Sequence, residues 1–204
     1  MSDHSIKFRF NALKAAQTAF KVLSMAGGRL NYMVLVKLLY LADREAIMKL
    51  ECPITGDRLV SLPHGPILSH VLDLIKNGPI YEQDEPWFRA ISPPSGYDVE
   101  KRDNLGDSEL SNAEEQILLQ TFADHGKKTW QELSKFTHEL PEWTDPEGSS
   151  APIAFETILL LAGKSQDDLA RIRKQIAVFR QIDKDIAAYS VEEAAESRDC
   201  ALAV

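Results

Sequence analysis

Cysteine is scarce in this chain: the 204 residues include only Cys52 and Cys200. Neither belongs to a CxxC pair or to an even-numbered framework, so a disulfide scaffold and a thiolate zinc site both lose their usual basis. Free thiols in a reducing compartment are expected instead. Long apolar runs are missing too. The longest stretches, around Val34 to Ala42 and Ile158 to Ala162, fall far short of the roughly 18 residues a spanning helix needs. The start, MSDHSIKFRF, carries no apolar core of a secretory signal. A cytoplasmic protein that makes no use of a membrane is the expectation.

Chemical signatures are equally sparse. The phosphate-cradling GxxxxGK[ST], the dinucleotide-binding GxGxxG, the nucleophile-elbow GxSxG and the zincin HExxH do not occur. The histidines are His4, His64, His70, His125 and His138, and no two stand three or four residues apart, the spacing that sets two ligands on one helix face. No metal, no cofactor and no catalytic residue is expected. His64 near Ser61, and His138 near Glu139 or Glu142, are the pairs from which a general base could be assembled, because imidazole titrates near neutral pH. A hydrogen-bonded structural role at a turn or helix end is the simpler reading of both. Trp143, placed after a helix-ending Pro141, is the tryptophan best situated to be an exposed anchor.

Negative charge is plentiful and unevenly placed. Residues 1–49 carry eight basic and three acidic side chains, 50–164 carry nine and twenty, and 165–204 carry six and eight, giving +5, -11 and -2. An acidic middle repels phosphate backbones and no clustered basic recognition face is visible, so autonomous nucleic-acid binding is not expected. Solubility or a basic protein partner would suit that charge.

The periodicity predicts a mainly α protein of the α+β type, with a small antiparallel sheet. Ala12, Leu13, Ala16, Phe20 and Leu23 recur at helical spacing up to Gly27 and Gly28. From Leu30 to Leu50 apolar positions cover more than one stripe, as in a central helix packed on several sides. Leu59 to Leu62 is a strand candidate, and Pro66 is expected to open a helix that Gly78 ends. Trp87 to Ile91 and Tyr97 to Lys101 are further strand candidates, joining the first in one sheet. Ser111 with Glu114 and Thr129 with Glu132 match the capping box and should start two helices. Pro152 should open a short helix through Leu161. Ser165, followed by Asp167 and Asp168, starts the longest helix, with Leu169, Ile172, Ile176, Phe179, Ile182, Ile186 and Tyr189 in one stripe. That stripe either packs back onto the domain or meets a partner.

Three segments carry a family likeness: KLLYLAD from Lys37 to Asp43, LPHGPILSHV from Leu62 to Val71, and LSKFTHELPEW from Leu133 to Trp143. In order, spacing and content they resemble the Panacea domain of SocA-like antitoxins, in which a K-L-L-Y-x-A-like helix precedes a Y-G-P-V-like turn and, much later, an S-H-x-x-x-P-W-like helix end. His64 stands where Tyr is commoner and Thr137 where Ser is usual. The resemblance spans roughly residues 12–162, and it implies a mainly helical fold and the antidote role in a bacterial or phage toxin-antitoxin system. The implied partner is a cognate protein toxin encoded beside it, neutralised by direct binding and without catalysis; self-association stays open. A proteolytic adaptor that delivers a bound partner to a protease is the alternative. Tyr40, Asp43, His64, Gly65, Pro66, His138 and Trp143 are the implied signature residues, serving either the partner or the fold. The organisation expected is a Panacea-like helical domain over 1–164, a long C-terminal helix over 165–190 and a disordered tail over 191–204.

Overall fold

The computed structural model describes residues 6–78 and 81–201, and for 183, 184 and 186–201 the backbone alone. The chain divides into two compact units, residues 1–163 and 164–204. His4 and residues 202–204 lie outside the described residues.

The first unit is built around one buried helix. Helix α1 (Ala12–Met25) starts where the Asn11 side chain accepts from Lys14 N–H, and it ends ahead of Gly27, whose φ of +85° suits a residue without Cβ. Strand β1 (Arg29–Asn31) leads directly into α2 (Tyr32–Leu50), with Asn31 as the capping side chain. Within α2 the run Val34 to Asp43 is buried without interruption. A helix apolar on nearly every side must be surrounded, and α1, α5, α6 and α7 all pack against this one. Full burial of each large apolar side chain contributes about 1.5–3 kcal/mol, so Leu35, Leu38, Leu39 and Ile47 alone form a substantial part of the core.

The central-helix expectation agrees with α2, but the strands differ from their expected grouping. Strand β2 (Leu59–Ser61) pairs antiparallel with β3 (Ile67–Leu68) on one side and with β5 (Ala151–Pro152) on the other. Strand β4 (Asp98–Glu100) pairs instead with β1, with Leu30 opposite Val99. There are therefore two small antiparallel sheets among the described residues rather than one. Pro66 does not open a helix. Ile67 and Leu68 are drawn into the β2 ladder, and α3 (Ser69–Asn77) begins only after them. Trp87 to Ile91 is not a strand: a 3-10 turn over Glu82–Asp84 runs into α4 (Glu85–Ala90), where Pro86 occupies the first helical turn and Trp87 is buried. Both capping boxes are formed, at α5 (Asn112–His125) and α6 (Trp130–His138). Pro152 belongs to β5, and the helix expected from it, α7 (Phe155–Leu161), starts three residues later.

The second unit is α8 (Gln166–Ala201), whose first turn is closed by Asp168, accepting from the Ser165 N–H and hydroxyl at 2.9 and 2.7 Å. It runs past the expected boundary at residue 190. No described helix is long and apolar enough to cross a membrane.

Candidate functional site

The signature residues other than Asp43 converge in one place although the sequence spreads them over a hundred positions. Lys37, Tyr40 and Arg44 stand three and four residues apart, so the helical period lays them along one face of α2, and Asp43 falls on the adjacent face. Opposite that face is the turn from Leu62 to Gly65, closed by Gly65 N–H donating to the Leu62 carbonyl at 2.8 Å. Gly65 sits at φ +92°. A Cβ there would lie 2.5 Å from Thr137 Oγ1 and 2.6 Å from Lys37 Nζ, so only glycine permits both the turn and the close approach of α2 and α6.

The polar groups that hold this turn are directed inward, while the His64 side chain stays exposed. The Lys37 ammonium, on a residue 1% exposed, donates to the Pro66 carbonyl at 3.0 Å. The Ser134 hydroxyl donates to the His64 carbonyl at 2.9 Å, and Trp143 Nε1–H donates to the Leu62 carbonyl at 3.1 Å. Thr144 N–H reaches Ser61 Oγ at 3.4 Å. Helix α6 and the loop after it thus clamp the turn through its carbonyls. Trp143 is half-buried and hydrogen-bonded, not the exposed anchor expected of it, because its ring also lies 4.4 Å from that of His138.

Below the turn, the Tyr40 hydroxyl donates to Glu142 Oε1 at 2.8 Å, and Arg44 grips the same carboxylate through Nε at 2.6 Å and Nη2 at 3.3 Å. The Glu142 side chain is fully covered and that of Arg44 nearly so. A two-pronged guanidinium is the partner that a buried carboxylate requires. Asp43 faces the other way. It accepts from Ile54 N–H and Thr55 N–H at 3.1 Å each and from the Thr55 hydroxyl at 2.6 Å, tying the loop after α2 to the helix. Asp57 repeats the device, accepting from the His70 and Val71 N–H groups at 2.9 Å and so capping α3 from outside it. Sequence reasoning did not single out Arg44, Asp57, His70 or Asp84, the last two paired at 3.1 Å; Asp57 stands well before the helix it caps, outside any local capping pattern.

Burial sets the electrostatics. It pulls the Lys37 ammonium down to about 7. It pushes the Asp43 carboxyl up to about 7, against the opposing effect of the Thr55 and Ile54 hydrogen bonds. It raises the Tyr40 phenol, helped by the charge of Glu142, and it raises Asp57 despite three backbone donors.

Neither candidate base is assembled. His64 is exposed and its ring contacts Trp130 at 6.0 Å, while Ser61 is engaged by Thr144. Glu142 is taken by Tyr40 and Arg44, and His138 Nε2 is buried without a hydrogen-bond partner. No described group of three or more His, Cys, Asp or Glu residues converges on a metal-sized site. A hollow of about 680 Å³ lies elsewhere, lined mainly by apolar residues such as Phe8, Leu59, Val60, Ile153 and Phe155. What the signature cluster accomplishes chemically is to lock α2, the 62–66 turn and the end of α6 into one polar network within the core.

No curated protein and no solved structure matches the chain. A family model does, over residues 35–144, which is more than half of the chain and takes in every member of the network from Lys37 to Trp143. The match lies inside the span of 12–162 that the three motifs imply. The chain therefore belongs to the antitoxin SocA-like family, and residues 35–144 are its Panacea domain.

Proposed function

We propose that this protein is the antitoxin of a toxin-antitoxin pair, acting in the cytoplasm by direct, non-catalytic binding of a protein toxin encoded beside it. The observation that carries the reading is membership of the SocA-like antitoxin family over residues 35–144. The inward direction of the signature side chains other than the exposed His64 supports a division of labour within it. Tyr40, Asp43, Gly65, Pro66 and Trp143 maintain the scaffold, and the toxin is met by surface outside that network.

The test is co-expression with the neighbouring gene. Growth arrest by the neighbour alone, rescue by this chain, and co-purification of the two proteins are the expected results. Rescue that disappears in a strain lacking its ATP-dependent proteases, with the complex still formed, would replace neutralisation by binding with delivery to a protease. Absence of both rescue and co-purification would remove the antitoxin reading.

A further inference from the structure

The apolar stripe of α8 changes character along its length. Leu169 and Ile172 are buried and Ile176 is half-buried, whereas Val178 is 58%, Phe179 63% and Ile182 45% exposed. Phe179 is among the most exposed large hydrophobic side chains in the described chain. Around these residues the charge has one sign. From Leu169 to Ile182 the helix carries Arg171, Arg173, Lys174 and Arg180 and no acidic residue, in a chain whose net charge is -8. The helical period places Ile176, Phe179 and Ile182 along the centre of a face, with Arg173 and Arg180 on one flank and Arg171 on the other, and turns Lys174 toward the opposite face. Asp167 and Asp168 precede this segment, and Asp183 and Asp185 follow it on either side of Lys184. The basic, apolar stretch is thereby confined to about four turns, or roughly 20 Å of helix.

We infer that this segment of α8 is a docking element that inserts into a groove of a protein partner, apolar at its floor and lined with carboxylates at its rim. The inference rests on the antitoxin reading and gives the partner surface its chemistry. Charge complementarity selects this occupant. A second copy using the same face would bring Arg173 and Arg180 against cations on the facing edge, so self-pairing is opposed. An anionic membrane would attract the arginines, yet it is a plane, and the aspartates bracketing the segment at both ends would be repelled by it. A bounded groove accommodates a bounded basic segment. Three of the four cations are arginines, whose planar fork pairs with carboxylates in two-pronged fashion; Arg171 already leans on Asp168 at 3.8 Å and donates to Gln175 at 2.9 Å within the helix. An aromatic anchor in an apolar slot with a charged rim is the arrangement in which a few residues carry most of an affinity.

The experiment uses the full chain, with the neighbouring gene's product as the probe. Phe179→Glu and the charge reversal Arg173→Glu/Arg180→Glu are each compared with wild type for thermal unfolding, affinity over a salt series and rescue of growth. Phe179→Glu is expected to weaken binding by about thirtyfold or more, as removal of a central anchor does. The reversal is expected to weaken it about tenfold and to flatten its salt dependence. Phe179→Glu should unfold at the wild-type temperature, since its side chain is exposed, and affinity for the reversal is measured at a temperature at which both proteins are fully folded, because Arg173 has an interaction of its own within the chain. Wild type that binds and rescues beside variants that do so equally well would overturn the role of α8 and leave the antitoxin reading standing. Wild type that neither binds nor rescues would remove that reading and this one with it. Phe179-dependent dimerisation in sedimentation, or Phe179-dependent binding to vesicles containing phosphatidylserine with the toxin affinity untouched, would also overturn it.

Discussion

The ammonium of Lys37 and the carbonyl of Pro66 meet at 3.0 Å in the interior, a single hydrogen bond between the middle of α2 and the turn that follows β2. A lone carbonyl solvates an ammonium poorly, and burial pulls this one down to about 7, whereas an unfolded lysine holds its proton to about 10.4. Between those values the unfolded chain binds the extra proton, so folding stability rises with pH. The slope from this group should approach about 1.4 kcal/mol per pH unit. It is cleanest from pH 7 to about 8.5, below the range in which thiols and phenols titrate. Urea unfolding across that range should show the rise, and Lys37→Met should flatten it. A slope unchanged by the substitution would mean that the ammonium is solvated in the folded state.

Asp43 should give the opposite slope on the acid side. Its native carboxyl, pushed up to about 7, keeps a proton that an unfolded aspartate releases near about 3.9. The folded state therefore binds more protons between those values. This contribution is complete below about pH 4 and is lost as the pH rises through 7. Asp43→Asn should shallow the decline from pH 4 to 7 without altering the slope above 7 assigned to Lys37. Separate responses of the two variants in one denaturation series would assign each limb to its residue.

Gly65 should tolerate no side chain. Gly65→Ala would combine a left-handed backbone at φ +92° with a methyl group 2.5 Å from Thr137 Oγ1. The backbone conformation costs about 1–2 kcal/mol and the overpacking about 1–3 kcal/mol. Gly27→Ala is the control, since it shares a positive φ of +85° but a Cβ there meets nothing within 4 Å. The control should lose only the backbone portion, and equal losses in the two variants would show that the turn can move away from α6.

Features written in consecutive residues were legible in the sequence. The capping boxes Ser111/Glu114 and Thr129/Glu132 fix the starts of α5 and α6 by local hydrogen bonds, and α2 declares itself by apolar residues on every side. The structure departs from the local signal where a distant partner overrides a local preference. Pro66 is suited to a first helical turn, but Ile67 and Leu68 are claimed by β2, and Ser69 N–H is held by the Arg58 carbonyl. The aromatic run at Trp87 has strand propensity, but its ring is buried with α4 packed on α1. The signature motifs located the network without revealing its wiring. Glu142 lies 102 residues from Tyr40, and no local spacing connects them.

That long-range pair allows the scaffold role of the signature residues to be separated from partner binding. Tyr40→Phe removes one hydroxyl and leaves Arg44 on Glu142, so it should cost about 0.5–1.5 kcal/mol, the net value of one hydrogen bond. Glu142→Ala strands a buried phenol and a largely covered guanidinium, and about 3 kcal/mol is expected. In the double variant the phenol is no longer there to be stranded, so the combined loss should fall short of the sum of the single ones, and the shortfall measures the coupling. Tyr40→Phe should remain folded at growth temperature and neutralise the neighbouring toxin as wild type does, because its hydroxyl is directed into the core. A Tyr40→Phe protein of nearly native stability that fails to rescue growth would instead place that hydroxyl in the toxin interface, through a rearrangement of the 142–144 segment on binding.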